Sequence, residues 1–186
     1  MNVYDFDHTI YPGDSTLDFW RFCLRRHPAA LRPLPGAILS GALFQVKLGT
    51  REQFKGSFYR FLRHVPDVDG AVSAFWAKNL SRISPWYLEQ KQEDDLIISA
   101  SPDFLILPVC RLLNVRGIAS PVAPDSGRLL GPNCRGAEKV ARLDREYPAA
   151  PVEEFYSDSL SDAPLAQRAR QAFLVKGLTL SPWPAD

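Results

Sequence analysis

The sequence predicts an α/β fold in which a parallel sheet is flanked by helices and carries an all-helical insertion. In residues 1–10 and about 94–186, short apolar strands alternate with helical stretches, which is typical of parallel sheets. Residues 13–93 instead show helical periodicity and no convincing strand. We therefore expect a body formed by residues 1–12 and 94–186 and a helical insertion at residues 13–93.

The composition is that of a globular protein. With 186 residues, 46% of them hydrophobic and 23% charged, the chain is long enough for one sizeable core and an inserted lobe. Its start shows no secretory signal, and its longest uncharged run, residues 34–46, is shorter than the roughly 20 residues that span a bilayer. Three widely spaced cysteines are typical of reduced thiols. These features favour a cytoplasmic protein.

Charge is distributed unevenly along the chain. Residues 21–63 contain nine Lys and Arg but a single acid, Glu52, although the net charge of the whole chain is only +1. A basic lobe on an acidic body would attract anions to a site whose carboxylates repel them. For most of these residues, a solvated helical face is the better explanation. We expect no nucleic-acid partner, and transient contact between this basic segment and a membrane surface is a further hypothesis.

The first helix of the insertion is predicted from its capping signals. Ser15, with Asp18 three residues later, resembles a capping box. The apolar pattern then continues to His27, and Pro28 would stop the helix there.

Three further helices complete the predicted insertion. One covers about residues 37–48, Thr50 caps the next, and the last covers about residues 68–80. The uncharged residues 34–46 favour a buried helix, with contact to a membrane surface or an acyl chain as the alternative.

The body resumes with an apolar strand at residues 95–99. Ser101 as N-cap and Pro102 at the first helical position then predict a helix start. The remaining predicted elements are strands at residues 115–119, 154–157 and 172–175, a hairpin turn at 125–127, and a helix after Gly136.

Two carboxylates lie at the end of the first strand, and they are the most informative feature of the chain. Asp5 and Asp7 follow the apolar pair Val3 and Tyr4. Two neighbouring acids repel each other unless a cation or a shared proton compensates them. The pair therefore suggests a metal and phosphate site. His8, between Asp7 and Thr9, is expected to point away from Asp7 if the backbone there is extended.

Other polar residues occupy equivalent positions along the body. Ser99 ends a strand ahead of a helix N-terminus, which suits phosphoryl oxygens. Lys139 lies near a helix start, where the helix dipole gives it no stabilisation, so it is expected to face an anion. Asp158 follows the strand at 154–157, and Asp162 is expected to cap the next helix. Because parallel strands end at one edge of a sheet, Ser99 and Asp158 should emerge beside Asp5 and Asp7, with Lys139 approaching from a flanking helix.

In this combination the motifs resemble those of haloacid dehalogenase superfamily phosphatases with a helical cap after the first motif. Residues 5–9 match Asp-x-Asp-x-Thr, Ser99 the strand-end Ser/Thr, Lys139 the motif lysine, and Asp158 with Asp162 the acidic fourth motif. The match covers nearly the whole chain. It is similar to phosphoserine phosphatase-like and phosphatidylglycerophosphate phosphatase-like members.

Two departures from these members concern the substrate. Ser161 replaces an Asn that often precedes the last acid, and residues 99–102 lack the glycines typical of phosphoserine phosphatases.

The resemblance implies a Rossmann-like core with a helical cap, and hydrolysis of a phosphate monoester through an aspartyl-phosphate. It makes Asp5 the nucleophile and Asp7 the general acid and base. The implied Mg²⁺ ligands are Asp5, the backbone carbonyl of Asp7, and Asp158. Ser99 and Lys139 would bind the phosphoryl group, Thr9 would hold Asp7 by a hydrogen bond, and Asp162 would orient Lys139 or a water on the metal.

Asp7 favours phosphatase over dehalogenase activity. The alkoxide that leaves a phosphate ester needs a proton, whereas a halide does not. The basic insertion offers little to bind an ammonium group, which favours an anionic or lipid-like monoester. Arg51 and Lys55, four residues apart on one helix face, are the expected substrate contacts of the cap.

Two other interpretations remain. One is a catalytically silent phosphate-binding protein of the same fold. The other is a glycosyltransferase in which the Asp-x-Asp pair holds Mn²⁺ and a sugar nucleotide, but this leaves Lys139 and Asp158 unexplained.

Overall fold

The computed structural model describes residues 1–184. They form a six-stranded sheet with helices on both faces. The strands lie in the order β3-β2-β1-β4-β5-β6. They are β1 (Val3–Tyr4), β2 (Leu96–Pro102), β3 (Arg116–Ser120), β4 (Val152–Ser157), β5 (Ala169–Lys176) and β6 (Thr179–Pro182). The first five pair in parallel and β6 is antiparallel to β5. The predicted α/β class is confirmed; the last two residues of the predicted body, 185 and 186, lie outside the described residues.

Eight α-helices accompany the sheet in the described part of the chain. They are α1 (Ser15–Leu24), α2 (Leu34–Gln45), α3 (Arg51–Tyr59), α4 (Val68–Asn79), α5 (Pro85–Gln90), α6 (Asp103–Leu112), α7 (Ala137–Glu146) and α8 (Ala163–Ala166). Residues 15–90 form helices and turns without a strand, as their periodicity predicts. No described helix is both long and apolar enough to cross a bilayer.

The core consists of two apolar layers, one on each face of the sheet. Successive strand residues point to opposite faces, so Val3 lies in one layer and Tyr4 in the other. The layer around Tyr4 also receives helices of residues 15–90. Trp76 of α4, for example, is fully buried and donates from Nε1 to the Leu105 carbonyl, 2.7 Å away. The helical segment is thus packed directly on the body.

Two helix starts differ from the prediction. Asp14, rather than Ser15, caps α1, because its side chain accepts a hydrogen bond from the Leu17 amide at 2.8 Å. The helix ends at Leu24 instead of His27. Ser101 is no N-cap, since β2 continues through Pro102 and α6 begins one residue later.

Other differences arise from tertiary packing and turn geometry. Thr50 caps α3 as predicted, but α5 and the edge strand β6 were not predicted. Gly177, with φ of +63°, makes the tight turn that folds β6 back on β5. The expectation that residues 34–46 are buried is wrong, because Ala37 is the one buried residue of α2.

Candidate active site

The central position of β1 places Asp5 at the edge where the parallel strands end. The Asp5 amide donates to the Tyr156 carbonyl at 2.8 Å, so Asp5 extends the pairing of β1 with β4. Ser157 and Asp158 therefore lie beside it. Strand order brings together residues more than 150 positions apart.

A buried ion cluster forms at this edge. The Lys139 ammonium lies 3.0 Å from Asp5 Oδ1 and 2.6 Å from Asp162 Oδ2, and its side chain is only 1% exposed. Burial alone would lower the pKa of Lys139, but the two carboxylates raise it. The lysine is therefore charged. Two carboxylates share one ammonium, so the cluster has excess negative charge that a further cation can neutralise.

Gly136 lies at the start of α7, the helix that carries Lys139. It precedes α7 with φ of +57°, and a Cβ there would lie 3.1 Å from the Ser161 carbonyl oxygen. Its amide donates to Asp162 Oδ1 at 3.2 Å. A glycine is needed because both the backbone angle and the close approach disfavour a side chain.

Asp5 has one engaged oxygen and one nearly free oxygen. Oδ1 accepts from the Phe6 amide at 2.7 Å and faces Lys139. Oδ2 has one described neighbour, the Ser157 hydroxyl at 3.4 Å. Burial raises the pKa of Asp5 to about 7; Lys139 opposes this shift and Asp162 adds to it. Oδ2 is thus available to a cation or an electrophile.

Asp7 accepts hydrogen bonds from two donors, one at the start of α1 and the other in β2. Its Oδ1 accepts from the Ser15 amide at 2.7 Å, and its Oδ2 accepts a short hydrogen bond from the Ser101 hydroxyl. Burial raises the pKa of Asp7, and Asp14 adds to the rise. A carboxyl group with a raised pKa is suited to donate a proton.

Ser101 belongs to the site, although the sequence predicted it only as a helix N-cap. Its hydroxyl also lies 3.0 Å from the Thr16 hydroxyl. The spacing could have identified it, because residues two apart on a strand point to the same side and Ser101 follows Ser99 by two. Ser99 itself is buried, and its Oγ accepts from the Ser101 amide at 3.1 Å.

Thr9 does not form the expected hydrogen bond with Asp7. Its hydroxyl accepts from the Asp158 amide at 3.0 Å and so ties the loop after β1 to the end of β4. The reason is the tight turn at His8, where φ is +57° instead of extended. The amides of Thr9 and Ile10 both donate to the Phe6 carbonyl, which turns Thr9 toward β4.

The carboxylates of Asp158 and Asp162 have different interactions. Within residues 1–184, the Asp158 carboxylate accepts no hydrogen bond from another residue; burial raises its pKa, and His8 opposes the rise. Asp162 does not cap α8 with its side chain. Besides Lys139, its carboxylate contacts the Ser157 hydroxyl at 3.0 Å. Asp162 therefore belongs to the ion cluster.

The residues present fit a hard divalent cation. Asp5 and Asp158 are partly buried carboxylates with raised pKa values, and oxygen donors are what Mg²⁺ prefers. The expected third ligand is a backbone carbonyl. The set therefore differs from a group of three acidic, His or Cys side chains, which the described residues do not contain.

The structure brings one of the two expected cap residues to the site. Lys55 Nζ donates to the Ala100 carbonyl at 2.7 Å and to Asn133 Oδ1 at 2.6 Å. Burial lowers its pKa to about 8, and nearby Asp7 and Asp14 oppose the shift. Arg51 makes no described hydrogen bond there; its guanidinium lies over the Phe44 ring, 5.3 Å from the centroid, and its charge helps to lower the pKa of Lys55.

A small cavity of about 220 Å³ lies between Lys55 and Ser101. It is lined by Asp14, Thr16, Leu17, Phe54, Lys55, Phe58, Tyr59 and Ser101. Asp14 gives it a carboxylate and Lys55 an ammonium. The expectation that the insertion offers little to bind an ammonium group rested on the charges of residues 21–63. Asp14 precedes that range and was therefore not counted. The cavity can therefore complement both signs of charge.

Comparisons with known proteins support the fold. The solved structures that resemble the chain include a protein of unknown function from Bordetella pertussis Tohama I, with a TM-score of 0.75 and 20% identity over 92% of this chain and 87% of that one. A phosphoserine phosphohydrolase-like protein from Francisella tularensis gives 0.58 and 18%, over 92% and 86%. A probable phosphoserine phosphatase from Vibrio cholerae gives 0.59 and 13%, over 92% and 55%. At these identities the likeness shows a shared fold.

No curated protein matches the sequence. The model of one family, described as haloacid dehalogenase-like hydrolase, matches residues 3–167. That range runs from β1 through α8 and includes Asp5, Lys139 and Asp162. The chain belongs to the haloacid dehalogenase-like hydrolase family.

Proposed function

We propose that this hydrolase is a Mg²⁺-dependent phosphomonoesterase that acts through an aspartyl-phosphate. The observation that carries the proposal is the arrangement of the partly buried Asp5, whose Oδ1 faces Lys139 at 3.0 Å while Oδ2 is nearly free. The names of two structural neighbours, which refer to phosphoserine phosphatases, support the same class.

The chemistry divides into two transfers. Asp5 attacks phosphorus, the ester P–O bond breaks, and Asp7 gives its proton to the departing alkoxide. Asp7 then takes a proton from a water molecule that attacks the phosphorus, and the bond to Asp5 breaks. The raised pKa of Asp7 suits its protonated starting state. The transition state of phosphoryl transfer is loose, so catalysis mainly requires positioning and charge neutralisation.

The remaining residues supply those two requirements. We assign Mg²⁺ to Asp5, the carbonyl of Asp7, and Asp158; when bound, the ion neutralises charge on the phosphoryl oxygens. Lys139 and Ser99 bind those oxygens. Asp162 holds Lys139 in place, and Thr9 positions Asp158.

We propose that residues 13–93 form a cap that closes over the substrate. Lys55 supports this, because it links α3 of the cap to the Ala100 carbonyl at the end of β2. Opening the cap breaks that link. The segments near residues 11–14 and 93–95 are the expected hinges, since the insertion joins the body there.

The cavity favours a small monoester over a lipid. A volume of about 220 Å³ lies below the usual range for drug-sized ligands. Asp14 and Lys55 together suit a leaving group that carries both an ammonium and a carboxylate. A lipid-like monoester would require the cap to move away from Ser101.

The proposed activity predicts phosphate release that requires Mg²⁺. A panel of phosphoserine, glycerol phosphate and phosphatidate, assayed with Mg²⁺ or with chelator, should show release only with the metal and most rapidly from a small monoester. A chloroacid serves as the control for dehalogenation and should release no halide. If no monoester is hydrolysed at saturating Mg²⁺ while phosphate still binds, the silent phosphate-binding alternative replaces this proposal.

Ser101→Ala is predicted to reduce kcat by about 10- to 100-fold, comparable to the loss of one hydrogen bond to a charged group. The Ser101 hydroxyl favours the ionised form of Asp7, so its removal should raise the pKa of Asp7 further. The limb of the pH–rate profile that reports Asp7 should move to higher pH. The matched control is Ser73→Ala on the exposed side of α4. An unchanged kcat and pH profile would show that Ser101 does not position Asp7.

A further inference from the structure

Exposed large apolar side chains are concentrated in one segment of the chain. Of twelve such residues in the described part of the chain, six lie within residues 31–48. They are Leu31, Ile38, Leu39, Leu43, Val46 and Leu48, with exposed fractions of 39% to 76%. We call these six residues the apolar ridge. Single exposed leucines are ordinary, but a contiguous patch marks an interaction surface.

Three ridge residues, Ile38, Leu39 and Val46, lie on the outer side of α2, a helix without charged residues, or at its end. Leu43 and Leu48 instead line a cavity between α2 and residues 123–130 of the body. A helix that is apolar all round is normally buried, yet α2 has a neighbour on one side only. Its inner side packs on α3, where the Ser40 and Ser57 hydroxyls lie 2.9 Å apart and Gly41 approaches the Phe54 ring. Ile38, Leu39 and Val46 follow helical spacing along the opposite side.

The end of α2 extends the ridge. The Lys47 amide donates to the Phe44 carbonyl at 3.0 Å, and the Leu48 amide donates to the Leu43 carbonyl at 2.8 Å. This is the helix-ending pattern that usually has glycine in the position of Lys47, whose φ is +60°. The turn presents Leu48, 76% exposed, next to an exposed lysine.

Cations flank the ridge at both ends. Arg25, Arg26 and Arg32 precede α2 and Lys47 follows it, and all four are exposed. The sequence contains no acid between Asp18 and Glu52. The surface therefore combines apolar side chains with uncompensated positive charge.

We propose that the apolar ridge docks on an anionic membrane surface. In this arrangement α2 lies in the interface, Ile38, Leu39 and Val46 enter the acyl boundary, and the flanking arginines and Lys47 face the headgroup phosphates. A second copy of the chain fits less well, because it would bring two sets of cations together without acids to pair them. At 12 residues, α2 is too short to span the bilayer. The docking does not depend on the proposed catalysis.

Vesicle flotation of the full chain tests this surface. Wild type should bind vesicles of phosphatidylcholine mixed with phosphatidylglycerol, bind poorly to phosphatidylcholine alone, and dissociate at high salt. The double variant Leu39→Asp/Val46→Asp should lose at least roughly tenfold in vesicle affinity. Leu112→Asp/Leu178→Asp is the matched control, since both leucines are exposed elsewhere, and it should bind like wild type.

A second variant removes charge without threatening the fold. Lys47→Gly suits the positive φ at this position, so it should fold normally and bind anionic vesicles several-fold more weakly. Phosphate release from a soluble monoester should be unchanged in every ridge variant, which separates this proposal from the proposed activity.

Two results would overturn the docking proposal. One is equal vesicle binding by wild type and Leu39→Asp/Val46→Asp. The other is concentration-dependent dimerisation that this variant abolishes, with no vesicle binding by wild type, which would make the ridge an interface between copies of the chain.

Discussion

Asp5→Asn is expected to lower phosphate release by roughly 10⁴- to 10⁶-fold, the range for removing one member of a catalytic unit. The amide cannot act as the nucleophile, so no aspartyl-phosphate forms. Lys139 keeps Asp162 as its partner at 2.6 Å, and the fold should persist. Substrate should still bind because the proposed phosphate-binding residues, Lys139 and Ser99, remain.

The same variant should not lose stability. Burial raises the pKa of Asp5 to about 7, so the ionised carboxylate is less favourable in the folded than in the unfolded chain. Its neutral replacement removes that cost, which is largest above pH 7. Denaturant unfolding at pH 8 should give a free energy of unfolding equal to or above that of wild type.

Asp69→Asn on the exposed first turn of α4 is the matched control for charge removal. It should leave turnover within about twofold, as expected of a surface change. Turnover of Asp5→Asn within tenfold of wild type would remove Asp5 as the nucleophile.

Lys139→Met is expected to abolish turnover and to reduce the free energy of unfolding by about 3–5 kcal/mol. The substitution keeps an unbranched side chain in the buried space but removes the charge. Asp5 and Asp162 then face each other without a cation. The stability loss comes from these uncompensated carboxylates rather than from lost packing.

A double variant distinguishes these two causes. Lys139→Met/Asp162→Asn should recover a large part of the lost stability, because only one buried carboxylate remains, while turnover stays absent. Lys78→Met, at an exposed position of α4, should change the free energy of unfolding by less than about 0.5 kcal/mol. Urea denaturation with and without Mg²⁺ measures all three. Wild-type stability in Lys139→Met would contradict the ion cluster.

The sequence predicted the fold class and the approach of Lys139 to Asp5, and the family resemblance implied the contact between Asp162 and Lys139. These predictions depend on local signals, namely apolar strands followed by polar residues, and on the rule that parallel strands end at one edge. Once the strands pair, the meeting of their ends needs no further information. The sequence therefore predicted the residues of the ion cluster but not their hydrogen bonds.

The errors occurred where one side chain had two possible partners. Asp162 has the position of a helix cap, but Lys139 binds its carboxylate instead. Ser101 likewise precedes a proline as an N-cap does, yet its hydroxyl contacts Asp7. Local spacing cannot rank such partners, because tertiary packing decides which of them is nearby.

The exposure of α2 was not predictable for a related reason. Its residues are apolar on every side, which is the pattern of a buried helix. Whether another element covers the outer side depends on where the α2–α3 pair lies relative to the body, and the sequence of α2 holds no information about that position.

Identification of the phosphorylated residue is the most direct test of the central assignment. Asp7→Asn, which should slow hydrolysis of the intermediate, is incubated with Mg²⁺ and the best substrate of the panel, quenched in acid, and digested for mass spectrometry. The assignment predicts one phosphoryl group on the peptide that contains Asp5, its loss on treatment with hydroxylamine, and no label in Asp5→Asn/Asp7→Asn. Label that persists without the Asp5 carboxylate, or that lies on another residue, would contradict it.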